Sequence, residues 1–211
     1  MALPQDDIEL LAQFKNEATK ERAFTAILKK YQEKLYWHIR RMVVEHEDAN
    51  DVLQNMFVKA WKGLANFRED SQLYTWLYRI ATNQSLTFLE QQKKRKTVSM
   101  SDEESGLSNK VKADTNFDGN KLEWKLQLAV QKLPEKQKAV FNLRYYDEMP
   151  YAEMSTVLET SEGALKASYH HAVKKIEEYI LNASISRTIS ARTQWQEILD
   201  CGKNPEMQVV I

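Results

Sequence analysis

The run from Asp48 to Trp61, DANDVLQNMFVKAW, constrains the fold more than any other stretch, because it asks one helix to serve two surfaces. Val52, Leu53, Met56, Phe57, Ala60, Trp61 and Leu64 recur in steps that make a single apolar stripe at about 100° per residue. A stripe of that kind has to be buried. The opposite face carries Asp48, Asn50, Asp51, Gln54, Asn55, Lys59 and Lys62. Acids and amides in such a row suit either plain solvation or a basic partner, and the helix alone does not choose between them. The same helical step runs through nearly all of the chain, and glycine and proline are scarce, at 5 and 4 residues. The expectation is an all-α protein: two small helical domains joined by a flexible acidic linker, the second ending in a helix-turn-helix.

With 211 residues, 43% of them apolar, the chain can bury one large core or two small ones. Its 30 basic and 30 acidic residues cancel. That excludes a generically basic nucleic-acid coat protein and leaves only local basic patches. Cys201 is the single cysteine, so there is no disulfide framework and no cysteine-based zinc site, which fits a reducing compartment. His170 and His171 are adjacent, and on a helix they point about 100° apart, unlike an i, i+4 metal-binding pair. No metal and no cofactor is expected. A glycine-rich phosphate loop and a Ser/His/Asp spacing are both missing, so the chain does not read as an enzyme. No stretch approaches the roughly 20 continuous apolar residues of a membrane span, and MALPQDDIEL lacks the basic-then-apolar order of a signal peptide. A cytoplasmic location follows as the expectation.

In the first half, Asp6 and Asp7 precede IELLAQF and suit the positive end of a first helix. Phe24, Ile27, Leu28, Tyr31, Leu35, Ile39, Met42 and Val43 then predict an amphipathic helix that ends near the polar EHEDAND, which separates it from the Asp48–Trp61 helix. Ser71 is placed to cap a third long helix from about Leu73, with Trp76, Leu77, Ile80, Leu86 and Leu89 as its apolar positions. Phe67, Tyr74, Trp76 and Tyr78 lie beside Arg68 and Arg79, and rings interleaved with cations can hold unstacked bases against a phosphate backbone. The same spacing also suits Phe67 and Trp76 as core residues. Lys93, Lys94, Arg95 and Lys96 close the helix; they either complement its dipole, worth about 0.3–1 kcal/mol, or contact duplex phosphates.

From Thr97 to Asn120 the periodicity stops and Ser, Asp, Glu, Asn and Gly collect, with Asp102, Glu103, Glu104, Asp114 and Asp118 making the segment mostly acidic. It is too long for a connection inside one compact domain, so a domain boundary is placed there. Beyond it, Leu122, Leu126, Ala129, Val130 and Leu133 predict one helix, and Pro134 suits the first position of the next, whose apolar face is Val140, Phe141, Leu143 and Tyr146. Two further helices, with Ala152, Met154, Val157 and Leu158 in one and Leu165, Tyr169, Ala172, Ile176 and Tyr179 in the other, read as helix, short turn, helix. Ser161 and Glu162 suit the start of the second, whose opposite face presents Lys166, Ala167, His170, His171 and Lys174. Glu159 sits where many such turns have glycine, so the turn either tolerates a non-Gly residue or adopts another geometry. In the tail, Thr193 and Gln196 can form a capping box for a short helix, which either packs or docks a regulator.

Two of these stretches resemble one known family. NFREDSQLYTWLYRIATNQSLTFLEQQKKRK, from Asn66 to Lys96, resembles the promoter-melting region of bacterial sigma factors of the extracytoplasmic function (ECF) group, the likeness being carried by Phe67-Arg68, Thr75-Trp76-Leu77, Arg79-Ile80-Ala81 and Asn83. The run from Leu133 to Ile176 resembles the sigma domain that reads the minus-35 element, with Lys166 and Ala172 at matching positions. The resemblance implies a region 2-like domain over 1–96, a linker over 97–120, a region 4-like domain over 121–181 and a C-terminal extension over 182–211. It implies that Asp51, Gln54, Asn55, Phe57 and Lys59 dock on the clamp of core RNA polymerase, and that Phe67, Arg68, Trp76, Arg79, Asn83, Lys93, Lys94 and Arg95 hold the minus-10 element. For the minus-35 element it implies Ser161, Glu162, Lys166, Ser168, His170, His171, Lys174 and Lys175. Asn55 departs from a commonly acidic position, Thr87 from Asp and Glu90 from Arg, while Ser168, His171 and Val173 stand where arginine is frequent. Fewer fixed cations imply a weaker phosphate grip and more reliance on polymerase. The implied function is an alternative-type sigma factor that directs promoter-specific initiation, with core RNA polymerase, promoter DNA and an anti-sigma factor as partners. The rival expectation is a helix-turn-helix regulator that binds DNA independently of polymerase, which would not need the Asp48–Trp61 surface. A helical scaffold would leave the Lys166–Lys174 face idle.

Overall fold

The structure, a computed structural model, describes residues 4–98 and 121–182. The expected linker beyond Val98 and the tail beyond Asn182, with its Thr193 and Gln196 capping box, lie outside the described residues. Among the described residues all regular structure is helical: α1 (Gln5–Phe14), α2 (Lys20–Val43), α3 (His46–Leu64), α4 (Leu73–Val98), α5 (Lys121–Gln131), α6 (Glu135–Tyr145), α7 (Tyr151–Leu158) and α8 (Glu162–Asn182). The described residues divide into two compact units, one of residues 4–98 with 150–162 and one of residues 121–149 with 163–182.

In the first unit α2 is the hub, packing against α1, α3 and α4. Its apolar step buries Ala23, Ile27, Tyr31, Leu35, Ile39, Met42 and Val43, and α3 answers with Ala49, Val52, Met56, Ala60 and Leu64. Fully burying one such side chain contributes roughly 1.5–3 kcal/mol. The acids at the start of α1 do more than complement a dipole. Asp7 is fully buried, and its two carboxylate oxygens accept from the Tyr31 hydroxyl at 2.9 and 2.7 Å, while Lys30 Nζ donates to it at 2.6 Å. Lys30 also reaches Asp6 at 2.5 Å, so α1 is latched to α2. At its other end Phe14 meets Phe24 and Trp61 at ring-centroid separations of 6.1 and 5.4 Å, with Lys20 Nζ 5.6 Å from the Phe14 centroid and 5.7 Å from that of Trp61.

The corner between α2 and α3 is tighter than the sequence suggests. Most of EHEDAND is helical, because Val44 at φ 76° turns the chain at once and Glu45 is extended. Glu47 and Asp48 then fall in the first turn of α3, where the helix dipole favours acids. At the start of α4 the Gln72 carbonyl accepts the Trp76 N–H at 3.0 Å, which puts Gln72 rather than Ser71 at the cap position. Buried polar groups on α4 are satisfied: Thr82 Oγ1 meets His38 Nε2 at 2.9 Å, and Ser85 Oγ donates to the Ala81 carbonyl at 3.0 Å. The first unit is completed by α7, which packs on α4. Thr75 Oγ1 donates to Glu153 at 3.4 Å there, and Arg79 pairs with Glu159.

The second unit has its own core of Leu126, Ala129, Val130, Leu133, Phe141, Ala172, Ile176 and Ile180. Phe141 stacks on Tyr145 and on Tyr169 at 5.1 and 5.8 Å between centroids. Pro134 stands at the cap position of α6, one residue before its first helical position, and its carbonyl accepts the Lys138 N–H at 2.9 Å.

Candidate nucleic-acid interface

On α3, burial of Val52, Met56, Ala60 and Leu64 turns Asp51, Gln54, Asn55 and Lys59 to solvent, all exposed. Phe57 is half-buried on the flank of that face. Val58, which the buried stripe leaves out, also lies on this face. It is 49% exposed, and at about 100° per residue it falls between Gln54 and Asn55, in line with Asp51 and Lys62. An apolar side chain in the middle of a polar face is the arrangement of an interface centre ringed by polar groups. The signal was present in the sequence as the one valine of α3 that its buried stripe leaves out. The N-terminal end of the same face is held by hydrogen bonds: Asn50 Nδ2 donates to His46 Nε2 at 3.0 Å, His46 Nδ1 donates to Tyr36 Oη at 2.7 Å, and Gln92 Nε2 donates to Asp48 at 3.5 Å.

The loop before α4 is pinned inward. Phe67 is only 9% exposed and packs on the half-buried Trp76, with centroids 5.4 Å apart. As placed, Phe67 holds the loop and presents no open ring face. Beneath Trp76 lies Gly63, where an added Cβ would stand 3.1 Å from Cζ2 of the indole. Glu69, at φ 60°, takes Lys15 Nζ at 3.0 Å and ties the loop to the end of α1. Arg68 and Asn83 are exposed, Arg79 is half-buried and paired with Glu159, and Lys93, Lys94 and Arg95 are exposed at the far end of the helix. Thr87 Oγ1 donates to the Asn83 carbonyl at 2.8 Å.

The turn between α7 and α8 is made by Glu159 at φ 50°, ψ 44°, a left-handed C-cap that a non-Gly residue here does adopt. Ser161 and Glu162 are exposed. Along α8, burial of Leu165, Ala172 and Ile176 leaves Lys166, Ala167, His170, His171, Lys174 and Lys175 exposed, with Ser168 and Tyr169 half-buried. The rings of His170 and His171 are 6.0 Å apart, and Lys175 Nζ donates to Gln137 Oε1 at 2.9 Å. Among the described residues no group of three or more His, Cys, Asp and Glu side chains is placed to hold a metal ion. No helix among them is long and apolar enough to cross a membrane.

Comparison with known proteins gives these surfaces a context. The sequence matches the family of sigma-70 region 2 over residues 27–95 and that of sigma-70, region 4 over residues 123–176. It is 31% identical over 166 residues to the RNA polymerase sigma-H factor of Pseudomonas aeruginosa, which covers 75% of this chain and 86% of that protein. To the ECF RNA polymerase sigma-E factor of Escherichia coli it is 29% identical over 168 residues, 76% of this chain and 87% of that protein. Among solved structures, CnrH in complex with the cytosolic domain of CnrY aligns at a TM-score of 0.60 and 22% identity over 85% of this chain and 99% of that one. The sigma factor RpoE in complex with the anti-sigma factor NepR, from Bartonella quintana, aligns at 0.58 and 17% over 74% and 95%. At these identities the two structures speak to the fold.

Proposed function

The chain belongs to the sigma-70 family of RNA polymerase sigma factors as a member of the ECF group, an alternative sigma factor that directs transcription initiation with RNA polymerase, and on that premise we propose how its surfaces divide the task. Residues 1–96 form the polymerase-binding and minus-10 domain, 97–120 the tether, and 121–181 the minus-35 domain. Asp51, Gln54, Asn55 and Lys59, with Val58 at their centre and Phe57 on the flank, dock on the polymerase clamp. The observation that carries this is the α3 face itself: polar, exposed and centred on the exposed apolar side chain of Val58.

Arg68, Trp76, Arg79 and Asn83 meet the minus-10 strand, and Phe67 positions the loop that presents them. Extruding a base costs a few kcal/mol, which stacking and hydrogen bonds in a pocket offset, so the melted strand is trapped by binding and the chain performs no covalent chemistry. The cations Lys93, Lys94 and Arg95 lie on duplex phosphates upstream. On α8, Lys166 and Lys174 grip phosphates, Lys175 adds charge from its place beside Gln137, and Ser161, Glu162, Ser168, His170 and His171 line the base edges. An anti-sigma factor is a further partner, as it is for the structurally similar RpoE of Bartonella quintana. The protein works in the cytoplasm with the polymerase.

Run-off transcription with purified core polymerase, with and without the chain, over fragments of its own genome tests this reading. New start sites that vanish when Asp51 is reversed to Lys are the expected result. Duplex binding without polymerase association or initiation would overturn it in favour of an autonomous regulator.

A further inference from the structure

The outward stripe of α4 continues beyond Asn83 through Thr87, Glu90 and Lys94, all exposed. At about 100° per residue, Arg79, Asn83, Thr87, Glu90 and Lys94 fall within roughly 80° of one another, over roughly 22 Å of helix. Cations stand at both ends of the stripe, and an amide, a hydroxyl and a carboxylate stand between them. The Thr87 hydroxyl proton is committed to the Asn83 carbonyl at 2.8 Å, so outward the threonine offers its methyl group and lone pairs. The Glu90 carboxylate accepts hydrogen bonds and donates none.

A carboxylate on a helix face that meets a polyanion is repelled unless it accepts a hydrogen bond from that partner. Phosphates donate nothing. In the major groove guanine offers N7 and O6, both acceptors, and thymine offers O4, whereas cytosine N4 and adenine N6 donate. Adenine sets its N7 lone pair beside that amine, facing the second carboxylate oxygen, so cytosine is the better match. We propose that Glu90 reads the exocyclic amine of one cytosine in the duplex just upstream of the melted segment and sets the base preference there. This rests on the proposal that the C-terminal half of α4 lies along that duplex.

The test uses holoenzyme assembled from core polymerase and the full chain, on a promoter fragment mapped by run-off transcription, with the base pairs upstream of the melted segment randomised. Bound fragments are sequenced for wild type, Glu90→Gln and Glu90→Ala. Wild type is expected to enrich cytosine at one pair by about tenfold, the lower part of the range for one good base contact. Glu90→Gln is expected to move that preference to adenine, because glutamine pairs with adenine N6 and N7. Glu90→Ala is expected to lose preference at that pair while keeping the minus-35 preferences. A wild type without cytosine enrichment, or cytosine enrichment unchanged in both variants, overturns the inference. A wild-type holoenzyme with no sequence preference anywhere overturns the underlying division of surfaces as well.

Discussion

Trp76 and Gly63 are bound by a distance. A Cβ at Gly63 would meet the indole at 3.1 Å, closer than a ring on a packed helix accepts without moving. In Gly63→Ala the helix gains about 0.8–1 kcal/mol of propensity, which roughly offsets the overlap, so stability changes little. The indole shifts instead. Open-complex formation, followed by 2-aminopurine fluorescence in the minus-10 segment, is expected to weaken roughly fivefold, about 1 kcal/mol of stacking. Val44 is the opposite case, a β-branched residue at φ 76° and ψ −43°, where such residues are strained. Relief of about 1–3 kcal/mol of strain competes with the greater chain entropy of glycine, about 0.5–1 kcal/mol, and with the loss of a half-buried side chain. Val44→Gly is therefore expected to be at least as stable as wild type and more stable than Val44→Ala, reversing the order found within a helix; urea unfolding of the three proteins decides it. For Val58, Asp substitution at the exposed centre of α3 is expected to cost about 2 kcal/mol of affinity for core polymerase, the scale of an interface hot spot, with no change in unfolding midpoint. Competition against the wild-type chain for a limiting amount of core polymerase measures it.

At the scale of elements, local periodicity was legible and long-range pairing was not. The α2 and α3 stripes are readable because every third or fourth residue reports the same face. The latch between α1 and α2 is not, since Asp7 and Tyr31 are 24 positions apart and nothing local says that they meet. Its electrostatics give the first unit a distinctive alkaline limb. Burial, and then the bond to Asp7, push the Tyr31 hydroxyl above its ordinary 10.0. For Lys30, burial alone would lower the ammonium, but Asp6 and Asp7 outweigh it and hold it above 10.5. The side-chain bond from Lys30 holds Asp6 below its ordinary 3.8. Raised groups keep protons in the native state that the unfolded chain releases, so their stabilisation is complete below about pH 10 and fades as pH rises toward the native values. Asp6 contributes above about pH 4 and loses its contribution as pH falls. Tyr31→Phe leaves the buried Asp7 one donor short. It is expected to lose about 1–3 kcal/mol at neutral pH and to show a flatter decline between pH 9 and 11, read from urea midpoints across that range.

Across the whole molecule, the functional reading came from two stretches that resemble sigma factors and stand in the order of that family, an aromatic and cationic stretch first and a basic helix after an acidic segment. What stayed hidden is which residues of those surfaces are free to act. Phe67 and Trp76 fit both core and stacking, and packing turned Phe67 inward; Arg79 reads as a free cation, and it is paired with Glu159. Charge makes the same point. With 30 basic and 30 acidic residues the net charge supplies no general attraction to DNA, so local cations are where salt dependence is expected to arise. Each phosphate that such a cation neutralises adds roughly 0.9 to the slope of log affinity against log salt. Lys174 is exposed on α8, whereas Lys175 is held by Gln137 at 2.9 Å. For holoenzyme on a mapped promoter, Lys174→Ala is therefore expected to lower affinity and to reduce the salt slope by roughly 0.9, and Lys175→Ala to reduce it by less. Titrations of the three proteins between about 50 and 200 mM salt give the slopes; equal slopes for Lys174→Ala and wild type would remove Lys174 from the phosphate contacts.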